Sequence, residues 1–350
     1  MTQKKFLHTA KAKKIGAAIM IAALTLGTTG CGSQSASAEG NGAIKITNVS
    51  YDPTRELYEA YNKAFVEYYK DEKGIDVEVV QSHGGSGGQA RSVVEGAEAD
   101  VVTLALEHDI TLIEEAGLIE EGWLSEFDRD SSPYTSTIVF LVRKGNEKNI
   151  NDWDDLTKEG VDIINPDPKS SGGACWNFLA AWHYADLKFN GDEEKIKDFV
   201  KAIYDNVTVM DSGARGATTT FVENGQGDVL IAWENEAIAT VKEYPDEYEI
   251  ISPSISILAQ PSVAIVDENA KKDGVEDVAR DYLEYLYTDS AQRIIGENGY
   301  RPSTESILNE FSDKFDLSMD LATISDFGGW NAAYDKFFVD GGIFDEIHGA

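Results

Sequence analysis

The chain has 350 residues, 62 acidic against 30 basic, and a formal net charge of −32. Such an excess of carboxylates repels nucleic acid and anionic membrane surfaces, which excludes nucleic acid as a partner and leaves the membrane only through a lipid anchor. Two cysteines, Cys31 and Cys175, offer no disulfide framework, so folding must rest on apolar burial. Residues 1–30 carry five lysines and no acid, and the lysines all precede a small, apolar run over residues 15–26. That arrangement predicts a secretory signal and not a spanning helix. Its removal would take the charge from −32 to −37 through the loss of five lysines.

The apolar run ends in Thr28-Thr29-Gly30-Cys31, similar to a bacterial lipobox except that Thr28 stands where leucine is usual. Residues 1–31 are therefore assigned as a signal peptide ending at a lipidated Cys31, and 32–42 as a flexible tether. Soluble secretion after cleavage is the alternative. The remaining ~310 residues exceed what one compact core usually holds, so two lobes are expected. Alternating patterns predict strands at 43–49, 75–81 and 100–105, with helices at 53–69 and 89–96 between them. A connecting strand at 136–142 leads to a second series, with helices at 173–187, 193–204 and 216–224 and a strand at 228–233. Residues 256–266 read as a return crossing, followed by helices at 275–287 and 290–296. This order predicts an α/β fold with parallel strands, whose ligand sites gather beyond the strands' carboxyl ends.

Three glycine-rich junctions lead into helices: Ser-His-Gly-Gly-Ser-Gly-Gly at 82–88, Ser-Ser-Gly-Gly at 170–173 and Asp-Ser-Gly-Ala-Arg-Gly at 211–216. Helix first turns carry unpaired N–H groups and partial positive charge, and glycine lets an anion touch them. Ser171 can cap its helix or donate its hydroxyl; Asp52, ahead of Pro53, reads equally as an N-cap. An uncharged donor set suits a fully ionised dianion, whereas hydrogen phosphate benefits from an acceptor. Trp233, at a predicted strand end, either supplies an indole donor or packs in the core.

Residues 84–88 satisfy Gly-x-Ser-x-Gly, which makes a serine hydrolase using Ser86 the enzyme alternative. None of His108, His183 and His348 falls on a late glycine-rich loop after an acid-bearing strand, as a triad would need. No zinc or calcium spacing and no nucleotide fingerprint is present. The expectation is a binding protein, not an enzyme, without metal or cofactor. Cys175 reads as a buried, inert neighbour of Trp176.

The runs 48–58, 81–87, 133–145, 169–174, 211–216 and 227–237, together with Phe-Gly-Gly-Trp at 327–330 and Gly-Gly-Ile-Phe at 341–344, closely resemble bacterial sulfate-binding proteins. The resemblance implies a two-lobed periplasmic-binding-protein fold of type II with the ligand cleft between lobes. It implies lobes of 43–126 plus 258–310 and of 127–257 plus 311–350. Matched position by position, it implies that sulfate is held by the N–H of Asp52, the hydroxyls of Ser86 and Ser171, the N–H groups of Gly172, Gly173 and Ala214, and the indole of Trp233. Arg215 would brace the loop behind them. Further implications are a monomer outside the cytoplasm, delivery to the permease and ATPase of an ABC importer, and thiosulfate or molybdate as alternative ligands. Cys175 departs from the arginine common after Gly-Gly-Ala in that family, which changes the electrostatics beside the donors.

Overall fold

A computed structural model describes residues 42–349; the expected leader, Cys31 and tether residues up to 41 lie outside the described residues. The chain opens with β1 (Ile44–Tyr51), α1 (Arg55–Lys73), β2 (Val77–Gly84), α2 (Ser86–Val94), β3 (Val101–Leu104) and α3 (Glu107–Glu115). Helix α1 buries Leu57, Tyr58, Tyr61, Phe65 and Tyr69, a three-and-four spacing that lays one apolar face on the sheet. It stops at Gly74, whose left-handed φ of 71° lets its N–H close on the Lys70 carbonyl. A second series follows: β4 (Ile138–Arg143), β5 (Ile163–Pro166), α4 (Gly172–Phe189), α5 (Glu193–Asp205), β6 (Val207–Asp211), α6 (Ala214–Val222), β7 (Val229–Trp233), α7 (Glu234–Glu243) and β8 (Tyr248–Ile251). The chain then returns through β9 (Ser262–Ile265), α8 (Glu276–Tyr285), α9 (Asp289–Glu297) and α10 (Trp330–Phe337).

Two sheets result. The first has the order β9–β3–β1–β2, parallel except for β9. The second has the order β6–β5–β7–β4–β8, with β6, β5 and β7 parallel and β4 antiparallel to both its neighbours. In the first sheet the returning strand β9 enters antiparallel at the edge beside three parallel strands, and in the second the outgoing strand β4 is inserted antiparallel between β7 and β8. This is the two-lobed α/β architecture of type II binding proteins. The outgoing and returning segments meet at an antiparallel bridge, where Ser136 and Ala259 exchange N–H to carbonyl bonds of 2.9 Å each. Thr137 Oγ1 adds bonds of 2.9 Å to Ser256 Oγ and to the Ile257 carbonyl.

Most predicted elements are present, with shifted ends. Helices α2 and α6 begin at Ser86 and Ala214, earlier than the expected residues 89 and 216, because the glycine-rich motifs form the first helical turns and do not precede them. Glycine's low helix propensity disguises this, although a first turn tolerates it well. The expected caps are corrected in the same way. Asp52 lies inside a short 3-10 turn (Asp52–Thr54) whose cap position is Tyr51, and its carboxylate pairs with Arg55 at 3.1 Å. Ser171 holds the cap position of α4 by backbone geometry, but its side chain makes no capping bond. Cys175 is a buried free thiol, and burial pushes it well above its ordinary pKa. No helix among the described residues is long and apolar enough to cross a membrane.

Candidate functional site

Four chain segments end at one small cavity of ≈ 10 Å³. Its walls include Asp52, Gly85 and Ser86 from the first lobe and Ser171, Gly173 and Ala214 from the second. Helices α2, α4 and α6 all start there, with N-caps Gly85, Ser171 and Gly213. The N–H groups of Asp52, Gly172, Gly173 and Ala214 have no acceptor among the described residues. Unpaired donors at the starts of α4 and α6 and of the Asp52–Thr54 turn produce a local positive potential without a cation, and no lysine or arginine lines the cavity. At ≈ 10 Å³ the cavity falls far short of the ~300–1,000 Å³ of an ordinary organic-ligand pocket.

Of the seven residues expected as donors, five line this cavity. Gly172 and Trp233 stand against its walls. Gly172 packs so tightly that a Cβ would lie 2.9 Å from Leu106 Cγ and 3.0 Å from Ser86 Cβ. The Trp233 indole donates to the Gly173 carbonyl at 3.1 Å, turning it toward its own lobe. Trp233 also packs on Tyr51 across the cleft, with ring centroids 5.4 Å apart.

The lobes are closed on each other. Trp176 Nε1 in α4 donates to the Ala105 carbonyl at 3.0 Å, a buried bond between lobes. A Cβ on Gly85 would approach the Ser170 carbonyl oxygen to 2.6 Å, and one on Gly213 would approach Asp52 Oδ2 to 2.8 Å. Arg215 bridges the mouth, reaching Glu56 of α1 at 2.7 Å and the buried Glu236 of α7 at 3.1 Å. That pairing occupies the guanidinium outside the cavity, in a larger groove of ≈ 500 Å³ whose carboxylates Glu56, Glu223, Glu236 and Glu243 do not suit an anion. On the far side, His108 of α3 stacks on Tyr334 of α10 with ring centroids 3.6 Å apart. Replacing Arg215 with methionine should weaken ligand affinity by no more than about tenfold, the scale of partly exposed ion pairs worth ~1 kcal/mol. Titration calorimetry of the variant checks this.

Ser86 has a partner the sequence did not reveal. Its hydroxyl donates to Asp109 Oδ2 at 2.5 Å, and its oxygen accepts the Ala105 N–H at 3.0 Å. Asp109 is 3 % exposed. Burial pushes its carboxyl up to about 6, against the opposing pull of the Ser86 bond and the Arg91 charge. An acid in a helix first turn normally reads as a complement to the dipole, and α3 carries Glu107 there as well, so nothing in the sequence marked Asp109 out. The nucleophile-elbow reading meets a different neighbourhood: both partners of Ser86 are named above, and neither is a histidine. No group of three or more metal-ligating side chains is found among the described residues.

A family model described as bacterial extracellular solute-binding protein matches residues 46–301. The sulfate-binding protein of Escherichia coli K12 is 55% identical over 306 residues, 87% of this chain and 93% of that protein. The chain belongs to the bacterial extracellular solute-binding proteins. Other relatives of this solute-binding protein include the thiosulfate-binding protein of Pseudomonas aeruginosa, 43% identical over 308 residues, 87% of this chain and 92% of the relative. In structure, this solute-binding protein matches the sulfate-binding protein SubI from Mycobacterium tuberculosis with a TM-score of 0.77 and 33% identity, over 84% of this chain and 99% of SubI.

Proposed function

We propose that this solute-binding protein captures sulfate outside the cytoplasm and delivers it to an ATP-driven ABC importer. The observation that carries the reading is the small closed cavity at three helix starts, lined by neutral donors and by no basic side chain. The higher identity to a sulfate-binding relative than to a thiosulfate-binding one favours sulfate over its sulfur-substituted analogue. Sulfate has no proton to donate, so a cage of N–H and O–H groups satisfies it, whereas hydrogen phosphate would turn a proton onto those donors.

In this reading the N–H groups of Asp52, Gly172, Gly173 and Ala214 and the Ser171 hydroxyl bond the anion directly. Ser86 and Trp233 join by rotating away from Asp109 and the Gly173 carbonyl. Residues 43–126 with 258–310 and residues 127–257 with 311–350 act as the two moving bodies, hinged at the Ser136–Ala259 bridge, and closure expels water and strengthens each bond. Cys31, lipidated, would hold the chain at the membrane surface close to the permease.

Competition calorimetry with sulfate, thiosulfate, phosphate and molybdate tests the ligand. Sulfate should bind most tightly, and a preference for phosphate would sink the assignment. Ser171→Ala should cost on the order of 1.5–3 kcal/mol of sulfate affinity, the scale of a hydrogen bond to a charged group. An unchanged dissociation constant would remove Ser171 from the donor set.

A further inference from the structure

We propose that an open depression at the far end of the first sheet binds the head group of a primary-amine phospholipid, a zwitterion of the phosphoethanolamine class. The depression holds ≈ 550 Å³, within the ~300–1,000 Å³ of small-molecule sites, and five charged side chains line it. Lys45, Glu98, Lys272 and Asp273 stand exposed around it, and Asp100 is buried among them at 3% exposure. Asp100 Oδ2 accepts the Thr47 N–H at 2.7 Å, while the buried Oδ1 has no partner among the described residues. Nor does any of the five form an ion pair among those residues, although Lys271, next in sequence to Lys272, reaches Glu120. Buried polar atoms find partners as a rule, so an orphaned carboxylate oxygen beside unpaired charges of both signs points to a ligand.

The lining selects the class of ligand. Burial first of all raises the Asp100 carboxyl, and Asp273 and Glu98 add to it, with the Thr47 N–H and Lys272 opposing. A cation beside Asp100 relieves that strain, and a primary ammonium brings three N–H donors for three carboxylates. The carboxylates do not converge as ligands of a metal ion. Lys45 and Lys272 suit the phosphate at the other end of the head group. With no net charge, such a head group escapes the repulsion that the acidic chain exerts on anionic lipid. The course of the chain supplies the membrane. Strand β1 enters at Ile44, on the wall of the depression, and runs to Tyr51 at the anion cavity, so the two sites lie at opposite ends of an eight-residue strand, ~25 Å apart. The eleven residues 32–42, expected as the tether from Cys31, span no more than ~40 Å. An anchor at Cys31 therefore holds this end of the lobe within reach of the bilayer. The membrane source rests on that anchor, whereas the depression itself does not.

The test uses the full chain anchored in vesicles of phosphatidylcholine, with and without phosphatidylethanolamine, and reads amide hydrogen exchange by mass spectrometry. Phosphatidylethanolamine should slow exchange over residues 98–100 and 272–275 at least about threefold, the factor reached when the local head-group concentration is about twice Kd. Phosphatidylcholine, whose trimethylated nitrogen has no N–H to donate, should not. Lys272→Gln and Asp100→Asn should each abolish the difference and leave the calorimetric affinity for sulfate at its wild-type value. Lys272 is exposed, so its variant decides the question even if Asp100→Asn does not fold. Equal exchange with the two lipids, or a difference that survives Lys272→Gln, overturns the site. Slowing by dissolved glycerophosphoethanolamine with none from the vesicle lipid overturns the membrane as its source. A chain that stays on neither kind of vesicle overturns the Cys31 anchor and the membrane source together, while its sulfate affinity reports separately on the anion cavity.

Discussion

Replacing Gly85 with valine should leave the unliganded protein folded and lower sulfate affinity by at least about 100-fold. Gly85 sits at φ −60° and ψ 132°, an extended conformation that any residue adopts, so the side chain strains nothing within its own lobe. The obstacle lies on the other lobe. A Cβ there would stand 2.6 Å from the Ser170 carbonyl oxygen and 3.2 Å from that of Ser212, both backbone atoms that cannot swing aside. The two methyls of valine add further volume to the same gap. Overpacking of this kind costs ~1–3 kcal/mol where neighbours relax and more where they are backbone, and ~3 kcal/mol is over 100-fold in a dissociation constant. The measurement pairs calorimetric titration with a thermal melt in the absence of sulfate. The melt should move little, because loss of a glycine cap is worth about 1 kcal/mol or less. Wild-type affinity in Gly85→Val would mean that binding does not require the closed cleft.

Much of this was legible in the chain, for identifiable reasons. Helix α1 announces itself because Tyr58, Tyr61, Phe65 and Tyr69 recur at helical spacing, and β7 because its five residues are all buried. Three glycine-rich junctions could be named as anion seats because the motif recurs three times and glycine lets an anion touch the unpaired N–H groups of a helix start. Their convergence was expected from the α/β order and the resemblance, but its geometry depends on two sheets facing each other across residues 136 and 259, far apart in sequence. The starts of α2 and α6 were misplaced because local propensity penalises glycine in the turn where the ligand needs it. Asp109 stayed invisible because only the pairing of α2 with α3 brings it to Ser86, 23 positions away. The direction in which the Trp233 indole points is a property of the packed state, since the Gly173 carbonyl that receives it belongs to another element.

The largest loss of stability should come from Arg301→Met, about 3–5 kcal/mol. Arg301 Nε and Nη2 clasp the two oxygens of Glu234 at 2.6 and 2.8 Å, and Nη2 also donates to the Asp316 carbonyl at 3.0 Å. Both side chains of the pair are about 5% exposed or less. The pair ties the first residue of α7, directly after Trp233, to the segment Arg301–Pro302, which itself pairs with Tyr134–Thr135 on the way into the crossing. Removing the guanidinium leaves a carboxylate with neither water nor a counter-charge. Burial already holds the Glu234 carboxyl above its ordinary range in spite of Arg301. In the variant it rises further, so the folded state binds a proton that the unfolded state has released. A carboxyl raised on folding loses its stability contribution as pH climbs through the folded pKa, so the deficit should be smaller near about pH 5 and larger near 8. Urea titrations of Arg301→Met at both pH values measure this. The double variant Arg301→Met/Glu234→Met should recover most of the loss, because two apolar side chains replace a buried ion pair at little net cost. A deficit that is independent of pH and persists in the double variant would show that the arginine acts through packing and not through its charge on Glu234.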